Sequence, residues 1–298
     1  MSRLYDAIVL DLDGTLLDES GSVSARNREA LLAAAAEGVV VMIATGRSSL
    51  SAQPILEDLG LDTPAVVFNG AALYAPRERK MLEERVLSNR TLARSLELGL
   101  SRDWMTVLMC ADRKLALEPR DEIEASALSL MTGLQYVSRA QLAAEFVVRV
   151  TYFSREHATS GHFGDEVERE IAHPIYLTHF PLSVLPSHRQ SPLHVVDVHP
   201  PCRGKGEALR ILEENYGIPA ARVVAVGDAT NDIPMFEAAG LSVAMASGME
   251  EARAAAKRVI GGHDTAAIAE LVEEIFLAPA RRPSPPQPSS SSAASRRP

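Results

Sequence analysis

Three aliphatic stretches of this chain each run straight into a cluster of carboxylates, hydroxyls or amides, and that recurrence most restricts its fold. Ala7-Ile8-Val9-Leu10 leads into Asp11-Leu12-Asp13-Gly14-Thr15-Leu16-Leu17-Asp18, and Val39 to Ala44 leads into Thr45-Gly46-Arg47. Arg222 to Val226 leads into Gly227-Asp228-Ala229-Thr230-Asn231-Asp232. Short apolar runs bounded by turn residues read as buried strands. Helix signals lie between them: Ser24 to Glu37, with Ser24 as N-cap and Gly38 past the end, and about Ser48 to Leu59. Strands separated by helices need right-handed crossovers and so build a parallel sheet. Such sheets bind ligands outside the carboxyl ends of their strands, so the three clusters are expected on one rim.

The alternation includes a strand at Ala65 to Phe68 and resumes with a helix from about Lys205 to Tyr216. Strands at Leu241–Met245 and Arg258–Ile260 follow, with helices at Ile233–Ala239, Met249–Ala256 and Thr265–Phe276. Residues 82–194 differ in texture. They offer strand candidates at Met105–Cys110, Leu115–Leu117, Phe146–Phe153, Ile175–His179 and Leu182–Leu185, and helices near Thr91–Leu100, Glu122–Leu130 and Asp165–Ile171. This predicts an α/β core of residues 1–81 and 195–278, interrupted by an α+β lid over residues 82–194. From Pro279 the chain reads PARRPSPPQPSSSSAASRRP, which has no apolar face to bury and is expected to be disordered over 279–298.

The net charge of −9, from 30 Lys+Arg against 39 Asp+Glu, argues against nucleic acid or an anionic membrane as principal partner. It leaves room for a local basic pocket. Two cysteines, Cys110 and Cys202, are too few for a disulfide scaffold or a Cys-rich zinc site. No apolar stretch approaches the ~18 residues of a membrane helix, and the N-terminus leads directly into a strand without the pattern of a signal peptide. A cytoplasmic location is the resulting expectation; nothing in the sequence sets an oligomeric state.

Residues two apart in an extended segment point the same way, so Asp11 and Asp13 can converge. Two close carboxylates repel unless a cation or proton lies between them, and Mg²⁺ held by few carboxylates plus phosphate oxygens resolves the conflict. For two aspartates alone, a solvated acidic turn explains as much. With Thr45, Asp228, Asn231 and Asp232 delivered to the same rim, chance becomes a poor explanation. Lys205, flanked by Gly204 and Gly206, is one of four lysines among 30 basic residues. A compact ammonium at the opening of a helix suits a phosphate oxygen.

DLDGTLLD, IATGR, GKGEAL and GDATNDIPMF resemble the four ordered motifs of the haloacid dehalogenase (HAD) superfamily. The long insertion between the second and third resembles the type IIB cap of the Cof-like phosphatases. FNG at Phe68–Gly70 is similar to a further family element, and the resemblance spans about residues 6–276. It implies a Rossmann-like parallel-sheet core with an inserted α+β cap of type C2B. It implies Asp11 as nucleophile and Asp13 as general acid/base. Mg²⁺ would be held by the Asp11 carboxylate, the Asp13 backbone carbonyl and Asp228. Thr45, Gly46, Lys205 and Asn231 would hold phosphate, and Asp232 would support the metal or Lys205. The implied activity is hydrolysis of a small phosphorylated metabolite through an aspartyl-phosphate. Asp13 speaks against a dehalogenase, whose pattern lacks this acid/base. Gly204 departs from the family, where Ser, Asp or Asn is commoner. Ala246-Ser247-Gly248 lacks the family's usual Asn, and Ala266-Ala267 replaces its usual Gly-Val.

A sugar phosphomutase or phosphotransferase on the same core is the alternative within enzymes. A catalytically idle phospho-ligand sensor is the alternative outside them, disfavoured by the complete set of reactive residues. Seven of eight histidines lie between His157 and His199 with spacings that fit no zinc site. Arg203-Gly204-Lys205-Gly206 lacks the upstream Gly and following Ser/Thr of a P-loop.

Overall fold

The apolar runs assemble into a five-stranded parallel sheet in the order Arg258–Ile260, Leu241–Met245, Val223–Gly227, Ala7–Leu10, Val40–Ile43. The computed structural model describes residues 3–277, so the tail expected from 279 to 298 lies outside the described residues. Alternation within each strand splits the core in two. Ile8, Leu10, Val41, Ile43, Val224 and Val226 face the helices Ala25–Ala36, Ser49–Leu59 and Ala267–Val272. Ala7, Val9, Met42, Val223 and Ala225 face Glu207–Tyr216, Ile233–Ala238 and Glu250–Ala255. A sheet buried on both faces needs this continuous apolar content, which is why its strands are not amphipathic. Ser24 caps the first helix by accepting from the Asn27 N–H, and Gly60 closes the second with a left-handed backbone.

The strand expected at Ala65 to Phe68 covers Ala65–Val67 and is bridged to the chain leaving Val40–Ile43 by an isolated parallel bridge between Ala44 and Val66. It pairs instead with a hairpin, Ala72–Ala75 and Lys80–Glu84, that the sequence pattern does not signal.

The inserted segment forms a six-stranded sheet in the order Tyr176–Pro181, His194–His199, Arg149–Ser154, Met105–Met109, Lys114–Ala116, Leu134–Tyr136. All its pairs are antiparallel except the last, which is parallel. Val150, Tyr152, Val196 and Val198 pack under helices Asn89–Ser101 and Ser160–Ile171 with Trp104 and Phe163. Alternate residues Val107, Met109, Phe153 and Val195 join the larger core on the opposite face. That face therefore looks toward the parallel sheet.

Two expectations need correction. The boundary drawn between 194 and 195 falls at the start of a strand, because His194–His199 pairs along its length with Tyr176–Pro181 and flanks Arg149–Ser154. The second sheet thus runs through His199, and the 81/82 boundary likewise falls within Lys80–Glu84. The strand expected at Leu182–Leu185 is a short helical turn, Leu182–Val184. Pro181 and Pro186 flank it and supply no N–H for a ladder.

Candidate active site

The rim is built by chain exits from three parallel strands. After Ala7–Leu10 the Asp11 N–H still donates to the Val226 carbonyl at 3.0 Å, extending the sheet by one residue. A wide turn comes next, closed by the Leu17 N–H on the Leu12 carbonyl at 2.9 Å. Gly14 at φ +75° makes that turn possible, and a Cβ there would collide with the Asp228 carboxylate.

Asp11, Asp228 and Asp232 come together, each offering a carboxylate oxygen within 4.8 Å of the others. Lys205 is fully buried among them, its Nζ 2.7 Å from Asp11 Oδ1 and 2.7 Å from Asp232 Oδ1. Asp232 is fully engaged: its second oxygen accepts from the Asp228 and Ala229 N–H groups at 2.8 and 2.9 Å. Asp228 accepts from the Thr15 hydroxyl at 3.0 Å. Asp11 Oδ1 faces the ammonium out of line for a hydrogen bond and is left without one.

Burial pushes the Asp11 carboxyl well above its ordinary value, with Lys205 opposing and the three neighbouring aspartates adding to the rise. Burial and Asp232 likewise push Asp228 up to about 7. Burial alone would lower Lys205, but Asp11 and Asp232 more than reverse it and hold the ammonium charged. Three carboxylates thus share one ammonium, a deficit of positive charge that suits a hard divalent cation.

Asp13 does not join this cluster with its carboxylate. Arg47 holds it in a two-point contact, Nη2 to Oδ1 at 2.6 Å and Nε to Oδ2 at 2.8 Å, with the Asp13 side chain 42% exposed. Only its backbone carbonyl remains for the metal position that the family resemblance implies. Thr45 is buried, its hydroxyl accepting from the Arg47 N–H at 3.1 Å. The Gly46 carbonyl accepts from Arg149 of the inserted sheet at 2.7 Å. Asn231 donates to Asn69 Oδ1 at 3.0 Å and leaves its own Oδ1 buried without a partner.

Arg47, Asn69, Tyr176 and Arg149 are the residues that sequence reasoning passed over. Arg47 stands inside IATGR and Asn69 inside FNG, so both carried a positional signal at strand ends. Asn69 is buried with φ +51° and also donates to Thr178 of the inserted sheet at 3.3 Å. Tyr176 accounts for Gly204: a Cβ there would lie against the phenol oxygen and 2.8 Å from Cζ. The ring from the inserted sheet thus fills the space that a Ser, Asp or Asn side chain would need. Among the described residues no histidine joins a group of three metal-ligating side chains; the carboxylate cluster is the one such group.

The fold and rim together define a capped α/β enzyme with a carboxylate cluster at the ends of parallel strands beneath an inserted sheet. The haloacid dehalogenase-like hydrolase family model matches residues 8–272. The chain belongs to that family, on its phosphatase branch. Pyridoxal phosphate phosphatase YbhA of Escherichia coli is 32% identical, over 89% of this chain and 96% of its own length. The Bacillus subtilis 5-amino-6-(5-phospho-D-ribitylamino)uracil phosphatase YwtE is 25% identical, over 90% and 97%. The solved HAD phosphatase BT1666 of Bacteroides thetaiotaomicron superposes with a TM-score of 0.75 at 20% identity, covering 93% of this chain and 97% of its own. No helix among the described residues is long and apolar enough to cross a membrane.

Proposed function

We propose that this enzyme is a Mg²⁺-dependent phosphatase that hydrolyses a small phosphomonoester, such as a sugar phosphate, through an aspartyl-phosphate on Asp11. The observation that carries the reading is the buried Asp11 carboxylate, set against Lys205 and one residue removed from an acid held at the open edge by Arg47. The relatives named for pyridoxal phosphate and for a ribitylaminouracil phosphate support a small phosphomonoester.

Asp11 attacks phosphorus in line, forming an O–P bond as the ester P–O bond breaks. Asp13, once it takes a proton from solvent and turns from Arg47 to the substrate, gives that proton to the leaving oxygen, then takes one from the water that attacks the aspartyl-phosphate. Phosphate departs and Asp11 is regenerated. Lys205, Thr45, the Gly46 segment and Asn231 hold phosphoryl oxygens, while Asp232 fixes Lys205. Asp11, Asp228 and the Asp13 carbonyl would hold Mg²⁺, which when bound supplies charge neutralisation at the phosphoryl group. The six-stranded sheet roofs the leaving group and excludes water.

Phosphate release from p-nitrophenyl phosphate and a panel of phosphorylated metabolites, with Mg²⁺ and with EDTA, tests the reading. Turnover that EDTA abolishes is expected; turnover indifferent to EDTA overturns the metal requirement. Isomerised sugar phosphate without phosphate release would instead favour the mutase.

Stability should carry the same signature. A carboxyl raised from 3.8 to about 7 binds its proton more tightly when folded. Metal-free stability therefore falls as pH rises from about 4 to about 7. A divalent ion that replaces the proton reverses the trend. Thermal melting is expected to show a much larger Mg²⁺-induced rise at pH 8 than at pH 5. Asp228→Asn should raise the metal-free melting temperature and shrink the Mg²⁺ effect. Equal Mg²⁺ shifts at both pH values would remove Asp228 from the metal site.

A further inference from the structure

The face that the inserted sheet turns toward the rim carries a row of side chains fixed by strand register. Met109 stands opposite Lys114 on one side and opposite Arg149 on the other. Cross-strand partners share a face, so both cations point toward the parallel-sheet module. Contacts agree: Lys114 Nζ donates to Ser51 Oγ at 3.2 Å, at the start of the helix that follows Arg47. Arg149 donates to the Gly46 carbonyl and lies 3.3 Å from Asp197.

Lys114, Arg149 and Arg47 gather around the segment from Gly46 to Ser51, and among the described residues the carboxylates paired with them are Asp13 and Asp197. Lys114 is the unmatched charge. It is 3% exposed, and among the described residues no carboxylate lies in ion-pair contact with it. Burial, then Arg149 and Arg47, push its ammonium down to about 8. Its contact with Ser51 and its register with Met109 place it between the inserted sheet and the start of the Ser49–Leu59 helix. A buried ammonium without a counter-charge costs stability, whereas methionine would fill similar space without that cost. The positive end of the Ser49–Leu59 helix adds to the same local excess.

We infer that Lys114 and Arg149 form a second anion subsite, so that the preferred substrate of the phosphatase proposed above carries a further oxyanion, a carboxylate or second phosphate, on its leaving group. The reacting phosphoryl sits at Asp11 and Lys205, and the distal anion sits across Arg47 under the lid. The open side is at Asp13 and Arg47, whose side chains are 42% and 30% exposed. The inference rests on the phosphatase reading for which end of the substrate reacts.

The test is calorimetric binding with Mg²⁺ to the full-length Asp11→Asn protein, using phenyl phosphate, 4-carboxyphenyl phosphate and the bisphosphate of hydroquinone. A charge-assisted contact predicts that the two probes with a second anionic group bind at least about tenfold more tightly than phenyl phosphate. The better of the two identifies the distal group. Lys114→Met in the same background should bring the ratio to within about twofold of one, and Lys114→Arg should restore part of it. Lys114→Met should also melt no lower than its parent, as a removed desolvated charge requires. Phenyl phosphate bound with no advantage for the charged probes overturns the subsite and leaves the phosphatase reading intact. Failure of all three probes to bind overturns both. A ratio that survives both Lys114→Met and Lys114→Gln assigns the preference elsewhere and overturns the role of Lys114.

Discussion

Asp11→Asn is expected to remove turnover by a factor on the order of 10⁴ or more, the scale on which loss of a nucleophile acts. The amide keeps the size and shape of the carboxylate but offers no lone pair able to form a stable phosphoryl adduct. Folding should survive the change. Lys205 keeps Asp232 at 2.7 Å, and the crowded aspartates lose one member of a mutually repelling set. The metal-free variant should accordingly melt at or above the parent temperature, which separates a chemical defect from a folding one. Phosphate release under saturating substrate measures the first quantity and thermal melting the second. A variant that melts normally and still releases phosphate at more than a few per cent of the parent rate, with contaminating phosphatase excluded, would falsify Asp11 as nucleophile. Trapping of acid-stable, hydroxylamine-labile phosphate on the parent protein alone would support it independently.

Most of the rim was legible because parallel-sheet strands announce themselves as uninterrupted apolar runs, and the residues just after such a run must lie at the sheet's edge. That logic places Asp11, Thr45 and Asp228 together without any tertiary information. It gives no account of orientation. Asp13 lies two residues from Asp11, yet its carboxylate turns to Arg47 because the wide turn over Leu12 to Leu17 breaks the extended alternation after Asp11. The lid was less legible, and for a physical reason. Its edge strand Leu134–Tyr136 is three residues long and mostly exposed, so it carries too little pattern to stand out. His194–His199 sends Val196 and Val198 toward the helices and Val195, Asp197 and His199 toward the rim, and with valines and polar residues on both faces it shows no clean alternation. Tyr176 could not be foreseen at all, since its contact joins the inserted sheet to the helical turn at Gly204, 28 residues away in the chain. The odd glycine in GKGEAL was visible, but the ring that explains it was not.

Lys205→Met should be the more damaging substitution for the fold. Among the described residues the ammonium is the one cation touching Asp11 and Asp232, both essentially sealed from water. Removing it leaves two buried carboxylates to face each other, and breaking a buried pair in this way costs about 3–5 kcal/mol. Against a total stability of about 5–15 kcal/mol that is a large fraction, and it corresponds to a melting temperature lower by roughly 10 °C. The loss should be partial in the double variant Lys205→Met/Asp232→Asn, because the amide no longer needs a counter-charge. Contacting groups are not additive in this sense. Mg²⁺ should recover part of the stability of the single variant by supplying positive charge beside Asp11. Activity should still fall by on the order of 10²-fold or more in either variant, since a fixed charge aimed at the transferring phosphoryl group is gone. Melting and phosphate-release measurements on the two variants, each with and without Mg²⁺, separate these effects. If the double variant is destabilised by the full sum of its parts, the ammonium is not serving as the shared counter-charge of Asp11 and Asp232. If Lys205→Met keeps near-normal turnover despite its lower melting point, the lysine is a fold element alone, and phosphate is held by Thr45 and Asn231 without it.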